Sequence, residues 1–167
     1  MLGIGEFSNQ VFLINFRLSQ LFHNPATCSH IMQINGCGVI GTIHYLSINC
    51  HLGLTLLQHN ALESLMYVIV YLVKGSLPWQ GIIVKPGQIH EDKVLRVKQA
   101  TMVKTLCKGL PQPFVEFVEH IWCLGFWDKP DYKCRCSILE KCVLPQMLPN
   151  SKTDVSPIRC SQVVICV

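Results

Sequence analysis

The chain has 167 residues, 50% of them hydrophobic and 14% charged, with a formal net charge of +4. That length suits one domain with its own core, and the balance excludes an intrinsically disordered chain, which needs low hydrophobicity and high charge. The basic residues are scattered and make no aromatic-interleaved patch of the kind that reads nucleic acid, while a mean hydropathy of +0.34 predicts more apolar surface than a self-contained domain needs.

Residues 1–10 lack the basic start and long apolar core of a secretory signal, which favours an intracellular location, cytoplasmic or nuclear. Val11-Phe12-Leu13-Ile14 reads as a short strand entering a loop at Asn15-Phe16-Arg17, with Phe16 packed inward and Arg17 in water. Residues 19–60 hold no sustained period and are rich in Asn, Gly, Thr and His, which predicts a long loop. Residues 62–73 are apolar nearly all round, the pattern of a helix buried on every side. The run LMYVIVYLV within it falls far short of the ~20 residues that span a bilayer, so no membrane anchor is expected. Lys74-Gly75-Ser76 supplies a basic last turn and a glycine stop, and Pro78 bars the helix from resuming.

Residues 90–103 predict a short amphipathic helix with Val94, Val97 and Val103 inward. In 111–127, Phe114, Phe117, Val118, Ile121 and Trp122 recur at spacings of three and four, which predicts a helix with an aromatic core face. Residues 136–144 predict one more helix, and 145–167, broken by Pro, Ser and Cys, a loose tail. Without a signal peptide the ten cysteines read as reduced thiols. Cys134, Cys136 and Cys142 lack the paired spacing of structural zinc sites, so no metal is expected there.

Several ordered stretches share one likeness: NQVFLINFRLSQLFHNPATCSHI, GTIHYLSINCHLG, LESLMY, GSLPWQG, LCKGLPQPFVEF and LGFWDKPDY. In order and spacing they resemble the casein kinase I family of serine/threonine protein kinases, over roughly residues 1–132. The resemblance implies a mainly α fold: a partial protein kinase-like C-terminal lobe with a long activation-segment loop and a short N-terminal strand, followed by a divergent helix and tail over 133–167. Members of the family transfer phosphate from ATP, with magnesium, to protein serine and threonine. By the same resemblance the chain begins just before the metal-binding loop, so the glycine-rich loop, the strand lysine and the catalytic loop are not expected in it.

The family's metal-binding aspartate is replaced by Asn15 and the glycine of that loop by Arg17. Asn15 brings no negative charge to offset the dehydration of magnesium, and Arg17 brings a positive one. The family's RRDD becomes Gln58-His59-Asn60-Ala61, in which Ala61 replaces the aspartate that anchors the catalytic loop, and Met66 stands where a glycine is usual. The family's anion pocket for acidic or phosphorylated substrates carries over to His44, Gln80, Gly81 and His90, with histidine in place of arginine and lysine at His44 and His90. Imidazole holds less permanent charge at neutral pH, so phosphate binding there should strengthen on acidification.

Three readings follow. The chain is a degenerate, inactive kinase-like fragment without catalytic residues, expected to hold neither ATP nor magnesium. Alternatively it is a non-catalytic interaction module, a pseudokinase scaffold that docks a protein partner or an upstream kinase half. A third reading is an incomplete gene model of a longer kinase.

Overall fold

A computed structural model of the chain describes residues 3–8, 10–14, 16, 19–27, 29–32, 34–55, 57–83, 86–143 and 163–165. The fold is mainly helical. After a short 3-10 turn (Gly5–Phe7), strand β1 (Ser19–Leu21) is followed by helices α1 (Ile48–His51), α2 (Gln58–Lys74), α3 (His90–Ala100), α4 (Val103–Leu106), α5 (Gln112–Trp122) and α6 (Tyr132–Val143), then strand β2 (Val163–Ile165). The two strands pair antiparallel, Gln20 opposite Val164. Among the described residues no helix is long and apolar enough to cross a membrane.

Helix α2 is the axis of the core. Its Leu62, Met66, Tyr67 and Val70 are buried with Trp79, Val94, Leu106 and the α5 residues Phe114, Phe117, Val118 and Ile121. Met66 has no exposed surface, so the cluster is built around its long side chain. The α5 face matches its sequence spacing. So does the end of α2: Gly75 takes a left-handed conformation (φ 75°) and its N–H bonds to the Tyr71 carbonyl, while the Lys74 ammonium donates to the Leu106 carbonyl at 2.7 Å. Nothing lies within 4 Å of a methyl group placed on Gly75, so Gly75→Ala should cost only its conformational strain, about 1 kcal/mol. A lowering of Tm by roughly 2–4 °C is expected; an unchanged melt would mean that α2 ends in another way.

Four sequence expectations change. Helix α2 is not buried on every side: Leu65, Leu72 and Val73 are 41%, 74% and 63% exposed. An unbroken apolar run hides which face turns inward, and α2 has one outward stripe. The expected strand at residues 11–14 is replaced by an exposed stretch in which Val11 makes an isolated bridge, and the first strand of the described residues begins at Ser19. Phe16, expected inward, is 60% exposed; it follows a segment with no strand ladder to press it against a core. Finally, the helix expected over 90–103 divides at Thr101, whose extended backbone (ψ 116°) ends α3. The Thr101 hydroxyl turns back onto the Val97 carbonyl at 2.6 Å. Asn15 and Arg17 lie outside the described residues, as does most of the expected tail.

Candidate functional site

The loop expected over 19–60 has an ordered second half. Its neck is closed where Thr55 meets Ile34: the Thr55 N–H donates to the Ile34 carbonyl (3.1 Å), and the Ile34 N–H to the Thr55 hydroxyl (2.8 Å). From there residues 42–51 fold onto α2 and α3. A turn at Thr42 leads to Ser47, which caps α1 by accepting the Cys50 N–H at 3.2 Å.

Three side chains hold this segment down. The indole N–H of Trp79 donates to the His44 carbonyl at 2.8 Å. The Lys98 ammonium donates to the carbonyls of Ile43 (3.0 Å) and Leu46 (2.5 Å), and lies 4.9 Å from the centre of the Tyr67 ring and 5.1 Å from that of Trp79. The Glu63 carboxyl accepts the Ile48 N–H at 3.1 Å and the Tyr67 hydroxyl at 2.6 Å. All of these groups are buried, and a buried polar group is tolerated when such partners satisfy it.

Burial shapes their charge. Desolvation pulls Lys98 from its ordinary value of 10.5 down to about 7, against the opposing pull of Glu63 and Cys50. Burial raises Glu63, moderated by its bonds to Tyr67 and Ile48 and by Lys98. The same cause, with the positive Lys98 beside it, brings His51 down to about 4, although a hydrogen bond to the Ile43 backbone opposes it. The knot therefore favours neutral forms of its bases.

A second polar group ties α1 to α2. Asn49 donates its amide to the Asn60 side-chain oxygen (3.0 Å) and lies 3.0 Å from His59 Nε2. Asn60 in turn donates to the Thr55 carbonyl at 3.3 Å. Burial lowers the pKa of His59. Ala61 packs with Phe22, Leu57 and Phe126 in a small apolar cluster. Of the positions that the resemblance associates with charge, His59 and Asn60 thus share a hydrogen-bonded polar network and Ala61 joins an apolar cluster.

Of the four anion-pocket candidates, His44 is tied through its backbone carbonyl to Trp79, which precedes Gln80 and Gly81 in the chain. Their chemistry is partly spent: Gln80 accepts the Leu77 N–H through its side-chain oxygen (2.8 Å), and Gly81 holds a left-handed turn at φ 69°. His90 opens α3, and among the described residues no hydrogen bond, ion pair or ring contact joins it to the other three. A cleft of about 740 Å³ runs along α3, lined by Asp92, Lys93, Arg96, Val97, Thr101 and Thr105 among others, and includes none of the four.

No protein-family model matches the chain. Magnesium would need free hard oxygens, and the described residues hold no group of three or more His, Cys, Asp or Glu suited to a metal. Their buried carboxylate is engaged, since Glu63 accepts two bonds. Asp128 and Asp131 also accept backbone N–H groups, from Gly125 and Cys134.

Sequence reasoning missed Lys98, Glu63, Tyr67 and His51. Lys98 lies four residues after the buried Val94, so helical spacing puts it on the inward face; a lysine in that register is the signal that was available.

Proposed function

We propose that the chain is a degenerate relative of casein kinase I-type serine/threonine kinases, a C-lobe-like scaffold without phosphotransferase activity. The observation that carries this reading is the meeting of its separate motifs. Trp79 of SLPWQG binds the backbone of His44 in GTIHYLSIN, Glu63 of LESLMY binds Ile48, and Lys74 beside GSLPWQG binds the carbonyl of Leu106, at the start of LCKG. Motifs that depend on one another in space are what an inherited scaffold would retain. The positions altered in chemistry, His59 and Asn60, have found neutral partners instead.

A second reading, a protein-interaction module, is favoured by the outward stripe of Leu65, Leu72 and Val73 on α2, since contiguous apolar surface is where partners dock. The experiment is thermal denaturation of the purified chain with ATP and either magnesium or manganese. A ligand at one hundred times its Kd would add about 2.7 kcal/mol, so a bound nucleotide would raise Tm by several degrees. An unchanged Tm is expected, and a clear rise would overturn the non-catalytic reading. Recovery of one stoichiometric protein partner would favour the interaction module over a scaffold without a role.

A further inference from the structure

Outside the 42–51 segment, two histidines face one another across a hairpin. The Asn24 N–H donates to the Ser29 carbonyl (2.8 Å), and the Ile31 N–H to the Phe22 carbonyl (3.0 Å). Between these bonds His23 and His30 form an antiparallel bridge. Such a pair occupies a non-hydrogen-bonded position, where side chains share one face and backbones approach most closely, at Cα separations of about 4.5 Å. The turn beyond is fastened by Asn24, whose side-chain oxygen accepts the Ala26 N–H at 2.9 Å.

The two imidazole rings stand with centres 5.2 Å apart and planes at 77°. Two imidazoles on one tetrahedral ion, each bound through nitrogen at ~2.1 Å, hold their ring centres on the order of 5 Å apart. His30 Nδ1 lies 2.8 Å from the Ile31 carbonyl. A carbonyl only accepts, so Nδ1 carries the proton and Nε2 keeps its lone pair. That arrangement, one nitrogen donating to a backbone carbonyl and the other free, is the usual state of a metal-binding histidine. Aromatic walls restrict both rings: Phe22 is 4.3 Å from His23, and Trp127 is 4.9 Å from His30. Both imidazoles are half-buried, so the pair keeps an opening to solvent.

We propose that His23 and His30 form a two-point site for a divalent transition cation of the nickel, copper or zinc class, with water completing its coordination. Imidazole nitrogen suits these ions, whereas magnesium and calcium demand oxygen. Both histidines lie in the first of the stretches that resemble the kinase family, but the site rests on their hairpin geometry and stands whether or not that reading holds.

The test is titration of Ni²⁺ into the whole chain, followed by calorimetry and tryptophan fluorescence. Ni²⁺ should bind and quench emission, because Trp127 is in contact with His30. His23→Gln and His30→Gln should each weaken binding by about tenfold or more, and the double variant should abolish the quenching. His120→Gln, on the exposed face of α5, should bind as the native chain does, and Trp127→Phe should keep the calorimetric affinity while losing its quenching. Native-like affinity in a folded double variant, or no Ni²⁺ binding by the native chain, would overturn the proposal.

Discussion

Replacing Trp79 with alanine should cost about 3–5 kcal/mol, the range for deleting a buried tryptophan, and on a typical stability of ~5–15 kcal/mol that removes a large share of the fold. The indole has no exposed surface, stacks edge-on to Tyr67 at 4.8 Å, faces the Lys98 ammonium and bonds the His44 carbonyl. Trp79→Phe separates these contributions. It keeps most of the volume and a ring face for Lys98 but leaves the His44 carbonyl without its donor, at about 1–3 kcal/mol. Urea denaturation should therefore rank native, then Phe, then Ala, and amide exchange near residue 44 should accelerate in the Phe variant before global unfolding. If Trp79→Ala costs less than about 1 kcal/mol, the packing described for the 42–51 segment is wrong.

The second large effect is on pH. Lys98 has a folded value near 7 against an ordinary 10.5, so between these limits the unfolded chain binds more protons, and stability rises with pH across that interval. The stability associated with a neutral Lys98 is fully present above about 10.5 and is lost as pH falls towards 7. From about pH 7 to about pH 9 the gain should be about 2 kcal/mol. Groups around it contribute in both directions. Burial raises Glu63, Tyr67 and Cys50, and each of these destabilises the fold as pH climbs past its ordinary range. His51, lowered to about 4, loses its contribution as pH falls from 6.5. Subtracting the profile of Lys98→Met from that of the native chain isolates the lysine, because methionine keeps the apolar stem and cannot titrate. The difference should rise from pH 7 to pH 9; a flat difference would show that the ammonium is solvated and the burial incorrect.

Much of the scaffold is legible in the sequence, for reasons that differ between elements. Helix α5 declares itself because Phe114, Phe117, Val118 and Ile121 alternate with polar residues at helical spacing. The end of α2 is readable because glycine tolerates a left-handed turn and few other residues do. The outward face of α2 is not readable: where every residue is apolar, only the neighbours decide which of Tyr67 and Leu72 meets the core. Lys98 is hidden for the opposite reason. A lysine is normally solvated, and its burial depends on carbonyls of Ile43 and Leu46, more than fifty positions away in sequence, together with two aromatic faces. The histidine pair is likewise invisible until the backbone bonds at Asn24 and Ile31 set the hairpin register. Of the candidate anion pocket, the tie from the His44 carbonyl to Trp79, the residue before Gln80, is a tertiary hydrogen bond that residue spacing alone does not specify.

The closed neck at Ile34 and Thr55 has a consequence for proteolysis. Residues 38–41 are exposed between two anchored flanks, Cys37 bonded to the Gly53 carbonyl on one side and Lys98 gripping Ile43 and Leu46 on the other. A protease that cuts there severs the covalent chain without freeing either end. The nicked molecule would separate into two fragments under denaturing electrophoresis yet still travel as a single particle in native buffer.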